Sequence, residues 1–369
     1  MNNYYKTLNL EGLGPKTKED YIYFNKYISS LNSKKSTKEK RCFICNKKNI
    51  KYCNSHTIPQ FILRNITQNG KLLNTQIFNS AKLLNKETGV NNSQVFHCIC
   101  SDCDNKIFKE YETKENYQVE PNQLMLKQIA LKNHISRFCK HNEEKHTYSN
   151  ILKEIKRGKA YPIADINSII KVTEHNYRYN NKRARLILKN LNNSTDLYKL
   201  CFYKKLNYTV PYVLQANSVL SLGFNNEKLA DTFAFKSFDY ADDIHFCIYP
   251  LENESVIFIF CDKSLKIYDN FFETLKTKID NNQLSILNFI AFAYFEDIFL
   301  NNKIDVSVIN NDFMKQITQE QMITYADASD IQNLTKEEQE QYRWNALRNF
   351  SISNNNKIPN LLSYEYRII

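Results

Sequence analysis

Two short cysteine pairs constrain this chain more than any other feature. Cys42-Phe-Ile-Cys45 and Cys100-Ser-Asp-Cys103 each leave two residues between sulfurs, a spacing that turns both thiolates toward one ion. Cys42, Cys45, Cys100 and Cys103 together supply the four ligands of an all-cysteine, tetrahedral zinc site. Cys53, Cys98 and His97 are nearby competitors for a ligand position. Cys139, Cys201, Cys247 and Cys261 sit among apolar or aromatic neighbours and read as free buried thiols. A chain read as intracellular is not expected to carry a disulfide framework. The stretch 41–120 has few long apolar periodicities, so the ion is expected to supply part of its folding energy.

The remaining sequence divides around that module. Residues 1–40 form a basic extension, 121–175 a helical connector, and 176–369 a second domain of sheet and helix. The spacing predicts helices over 104–112, 122–140 and 148–157. Arg185-Leu-Ile-Leu and Leu200-Cys-Phe-Tyr read as short strands. Two longer strands, 243–249 and 255–261, flank the hairpin signal Pro250-Leu-Glu-Asn-Glu254. Helices are expected over 271–279 and 284–300, separated by an Asp280-Asn-Asn turn. Another is expected over 318–349, with Thr335-Lys-Glu-Glu338 as a capping box. The fold class is therefore α+β, a zinc-stabilised module followed by a mixed domain. The Tyr and Phe residues of 200–300 read as sheet core.

Composition narrows the function classes. Forty-two per cent of the 369 residues are hydrophobic, enough for a real core, and six glycines exclude collagen-like and glycine-linker architectures. No run reaches the ~18 apolar residues of a membrane helix, and the first residues lack the pattern of a signal peptide. A cytoplasmic chain without membrane contact is expected. Residues 231–300 carry 5 basic against 12 acidic side chains, and 301–369 carry 7 against 9. That leaves 38 against 18, a net of +20, in the first 230 residues. Such asymmetry is what a polyanion-facing half looks like. Basic residues around 31–51 and 132–159 are the expected phosphate contacts. The opposing reading is a lysine-rich composition with no partner behind it, since 40 of the 50 basic residues are Lys.

Between the cysteine pairs lies Cys53-Asn54-Ser55-His56-Thr57-Ile58-Pro59. A neutral imidazole held on a strand can take a proton from water near neutral pH, and a divalent ion beside it can stabilise charge on phosphate. The order Cys42-x-x-Cys45, Ser55-His56-x-Ile-Pro59, Cys100-x-x-Cys103-Asp104-Asn105 resembles the four-cysteine HNH endonucleases of the ββα-metal, treble-clef class. The resemblance spans roughly 40–115, under a third of the chain. It implies a metal-dependent endonuclease acting on DNA, with structural Zn²⁺ and a catalytic Mg²⁺, Mn²⁺ or Ni²⁺. By that resemblance His56 is the general base, Ser55 stands where a metal-binding residue is usual, Asp104 serves the catalytic ion, and Asn105 serves that ion or orients the histidine or the scissile phosphate. The middle Asn is Asn79, Asn91 or Asn92. Glu112, eight residues beyond Asp104 on a regular helix, could not share its ion and is expected to pair with Arg64 or a lysine. His134, His141, His146, His175 and His245 read as surface or core histidines, with Cys139, His141 and His146 a weaker metal candidate. Stand-alone proteins of this kind are often bacterial defence effectors, with a second domain that senses a ligand or protein trigger. The alternative is a non-catalytic zinc-binding adaptor for nucleic acid or protein.

Overall fold

The computed structural model describes residues 41–48, 50–75, 87–156, 166–230, 242–323 and 334–369. The basic extension 1–40, with Lys34, Lys35 and Lys38, and the candidate Asn79 lie outside them. Helices and sheet are both present, as an α+β fold requires.

The scaffold is an antiparallel sheet of seven strands among the described residues. These are β2 (Lys71–Asn74), β3 (Glu87–Gly89), β5 (Tyr198–Leu206), β6 (Tyr212–Ser218), β7 (Ile244–Pro250), β8 (Ser255–Asp262) and β9 (Ile298–Leu300). They lie in the order β3-β2-β9-β6-β7-β8-β5. The β7–β8 hairpin forms where the sequence predicts it, with Ile248 opposite Ile257 and Pro250 opposite Ser255. Both strands are nearly continuous apolar runs because both faces of the sheet are covered. Leu214, Ala216, Phe246, Ile248, Ile257 and Ile259 pack on one side into a core shared with α5 (Asp269–Lys276) and α6 (Asp280–Tyr294). Val213, Cys247, Tyr249, Val256, Phe258 and Phe260 join a second core on the other side. That core also holds α3 (Gln123–Lys156), α4 (Ile166–Lys189) and the cysteine-bearing segment.

Four expectations change. The helices predicted over 122–140 and 148–157 are one helix, α3, since the polar 141–147 stretch between them is itself helix-compatible and is held by a His141–Glu144 contact of 2.8 Å. Arg185-Leu-Ile-Leu is helical, not a strand: Ala184, Ile187 and Leu191 are buried while Arg185 and Leu186 face outward, a helical period. The helix predicted to Leu300 stops at Tyr294, where Phe295 turns extended and 298–300 becomes β9. Finally, β2 pairs with both β3 and β9, with Leu73 opposite Leu300. Residues 41–120 therefore contribute strands to the same sheet as residues 176–369. The predicted capping box is present: the Thr335 amide donates to Glu338 Oε2 at 2.8 Å and the Glu338 amide donates to Thr335 Oγ1 at 3.3 Å. It starts α9 (Lys336–Ala346), which follows α7 (Val306–Ile309) and α8 (Asp312–Ile323).

Candidate functional site

The first cysteine pair sits in a tight turn. The Cys42 amide donates to Lys47 O at 3.0 Å and the Asn46 amide to Cys42 O at 2.9 Å. Asn46 takes a left-handed conformation, φ 59°, which asparagine tolerates better than most residues. The second pair opens α2 (Ser101–Ile107): Cys100 flanks its start and Cys103 lies in its first turn. The two halves are joined by the Phe43 amide donating to Cys98 O at 2.8 Å and the Cys100 amide to Cys42 Sγ at 3.4 Å. Across α4, the Arg185 guanidinium donates to Phe43 O at 2.7 Å and lies over the Phe43 ring.

All four sulfurs lie within 4.8 Å of one another. Cys45 and Cys100 are 3.9 Å apart, and two sulfurs on a tetrahedral ion with ~2.3 Å bonds are about 3.8 Å apart. These residues fit a metal such as zinc. Burial and the neighbouring thiols push the Cys103 thiol well up, so a bound cation is what would make this cluster of sulfurs favourable. The competitors are engaged elsewhere. The Cys53 thiol donates to Ile99 O at 3.3 Å and contacts Asp104 Oδ2 at 3.6 Å, and burial and Asp104 push it up to about 12. His97 pairs with Asn54 Oδ1 at 2.9 Å. Cys98 and Cys139 form a disulfide, which corrects the reading of Cys139 as a free thiol.

Ser55 and His56 form β1 (Ser55–His56), paired antiparallel with β4 (Val95–Phe96). Successive side chains of a strand point to opposite faces, and the two residues part accordingly. Ser55 is fully buried and its hydroxyl donates to Asp104 Oδ1 at 2.8 Å. His56 is half-buried, with Nε2 3.2 Å from Val90 O. The backbone carbonyls of Val90 and Asn54 both face the ring, and each favours a ring N–H. Burial holds the imidazole below its ordinary range, so it is neutral at pH 7 and able to accept a proton. Pro59 then flanks the start of α1 (Gln60–Asn65). Gln60 Nε2 donates to Asn91 Oδ1 at 2.8 Å, and Arg64 donates to Gln60 Oε1 at 3.1 Å. Of the candidate middle asparagines, Asn91 and Asn92 therefore belong to the turn that carries Val90 beside His56.

Asp104 departs from expectation. Its carboxylate faces Ser55 and receives the ammonium of Lys132 at 2.5 Å. Lys132 has no exposed surface; it also meets Glu112 Oε1 at 3.2 Å and lies 3.9 Å from the Phe108 ring centroid. The predicted helix over 104–112 ends at Ile107, so Glu112 returns toward Asp104 and the two carboxylates do share one cation. That cation is a lysine, as anticipated for Glu112 but not for Asp104. With the ammonium there, Asp104 does not fit a divalent ion. Asn105 is exposed on α2. Within the basic stretch 132–159, Arg137 donates to Asn217 O at 3.3 Å and Lys140 pairs with Glu296 at 2.8 Å, while Lys132 is the buried cation just described. Sequence reasoning missed Lys132 and Val90, which carry no motif. Gln60 and Arg64 were accessible from their helical spacing after Pro59.

No family model matches the chain, and neither does any curated protein or solved structure.

Proposed function

We propose that this protein is a zinc-stabilised nuclease of HNH type that hydrolyses phosphodiester bonds in DNA, with His56 as the proton acceptor. The observation that carries this reading is the local order of elements. A cysteine knuckle, an antiparallel pair bearing His56 and a helix opened by the second cysteine pair follow one another around one four-sulfur cluster. That order is what a treble-clef, ββα-metal unit would have. The neutral His56 imidazole takes a proton from water as its oxygen bonds to phosphorus; the ester P–O bond breaks and the leaving oxygen is protonated from solvent. Arg64, exposed and tethered through Gln60 to Asn91, is the adjacent cation for a phosphate. Asp104 is a positioning residue, holding Ser55 and Lys132, and no step passes through an ion bound to it. The charge asymmetry supports a polyanionic substrate, with Arg41, Lys47, Lys48 and Lys51 next to the knuckle.

One observation favours a second reading. An ammonium group stands where the family's ion would meet positions 55 and 104, as expected of a non-catalytic zinc adaptor. Cutting of DNA by the wild type and by His56→Ala separates the two. A wild type that binds DNA and never cuts it leaves the adaptor.

A further inference from the structure

One cleft is lined wholly by residues outside the cysteine segment. It measures about 580 Å³ and lies between the loop 222–228, which follows β6, and the stretch 341–354, which closes α9 and continues beyond it. The loop folds on itself: Leu222 bridges to Lys228, and the Gly223 amide donates to Glu227 O at 2.9 Å. Asn226 within it is left-handed, φ 60°. Past α9 the chain curls through short turns, with the Ser351 amide donating to Arg348 O at 3.1 Å and the Asn354 amide to Ser351 O at 3.0 Å. Leu347, Phe350 and Ile352 are buried in the core. Trp344, Arg348 and Ser351 line the cleft instead.

The walls of the cleft are rich in donors. Ser351 donates to Asn226 Oδ1, and Gln341 Nε2 donates to Asn345 Oδ1 at 3.3 Å. Both asparagines thus use their acceptor within the wall, and among the described residues neither NH₂ group has a partner. The Arg348 guanidinium is likewise unpaired among them. Lys228 supplies a second cation, its ammonium 4.7 Å from the Trp344 ring centroid. No carboxylate lines the cleft. Glu227, the carboxylate of the loop, is folded back on its own backbone. It accepts from the Asn225 amide at 2.8 Å and fills the space beside Gly223, where a Cβ would lie 1.9 Å from Glu227 Oε1. Arg348 belongs to 301–369, where acidic side chains outnumber basic ones by 9 to 7, so a cleft without carboxylates there is not set by composition.

We propose that this cleft binds a nucleoside phosphate, independently of His56 and the cysteine cluster. Arg348 and Lys228 meet the phosphate, the guanidinium through paired N–H donors and the ammonium as a point charge. The indole of Trp344 supplies a flat surface for the base, a contact open to any base because each has a π-face. The NH₂ groups of Asn226 and Asn345 donate to base or ribose oxygens and ring nitrogens. The volume falls within the ~300–1,000 Å³ of small-molecule sites. An inorganic anion would use the two cations alone; the aromatic wall and the amides are what select a nucleotide. No histidine, cysteine or carboxylate lines the cleft, so the site is one for binding and not for turnover.

The test is titration of the full-length chain with ATP, followed by calorimetry and by the fluorescence of Trp344, the one tryptophan of the sequence. Saturable binding with a change in that fluorescence is expected, and adenosine and inorganic phosphate should each bind more weakly than ATP by about tenfold or more. Arg348→Gln and Lys228→Gln should each weaken ATP by about tenfold or more, the loss that follows removal of a charged hydrogen-bond partner. Both side chains are exposed, so these variants should keep the wild-type thermal melt. His56→Ala should bind ATP as the wild type does. Absence of saturable binding overturns the proposal, as does binding that leaves Trp344 fluorescence unchanged or that both cleft variants retain in full. Inorganic phosphate bound as tightly as ATP overturns the nucleoside assignment.

Discussion

An ammonium group with no exposed surface, facing two carboxylates and the Phe108 ring, cannot be removed without stranding its partners. Lys132→Met should therefore cost about 3–5 kcal/mol of stability, the usual loss when one member of a buried ion pair is deleted. Urea denaturation measures it, and a loss below ~1 kcal/mol would show that solvent reaches the carboxylates. Burial also raises Glu112 above the ordinary carboxylate range, so it is the partner that takes up a proton when the lysine is gone. The ring of His56 is governed by the same desolvation with the opposite sign. Protonated imidazole cannot accept a proton, so activity falls as pH drops through the His56 pKa. Because burial lowers that pKa from 6.5, the acid limb of the pH–rate profile should lie below 6.5. An acid limb above 6.5 would assign the titrating base to another group.

At the scale of elements, the cysteine spacing was sufficient to find the four-sulfur cluster, because knuckle geometry is local. The same sequence did not reveal what Asp104 meets: that depends on where α2 ends and on a residue of α3 that arrives 28 positions later. The β7–β8 hairpin and the Thr335 capping box were legible for the same local reason. β9 was not, since Ile298–Leu300 continues an apolar run that also suits a helix, and its pairing with β2 spans more than two hundred residues. His134 and His245 were read as surface or core histidines, and only the packing of α3 on β7 brings both beside Asp243 in the core. Cys100→Ser should release the zinc and unfold the segment around α2, because a structural ion contributes directly to stability. Metal analysis with a thermal melt checks this; an unchanged melting profile in a zinc-free protein would contradict it.

For the whole molecule, the sheet joins the cysteine-built segment to the rest, since Leu73 and Asn74 of β2 pair with Leu300 and Phe299 of β9. A fragment of residues 1–120 should lack a cooperative urea transition, and a sharp transition in it would show that the segment folds without β9. The charge asymmetry is also a property of the entire chain. Affinity for DNA should fall steeply with salt as phosphate contacts release condensed counterions, and neutralising Lys47, Lys48 and Lys51 should flatten that slope. Salt-insensitive binding in a fluorescence titration would return the +20 half to mere composition. The most direct measurement is nicking of supercoiled plasmid DNA by the full chain and by His56→Ala, with and without added Mg²⁺, Mn²⁺ or Ni²⁺. The expected result is cutting by the wild type and a loss of ~10²- to 10⁴-fold in the variant, with zinc content and DNA affinity unchanged. Cutting by His56→Ala at the wild-type rate would contradict the assignment of His56 as the base.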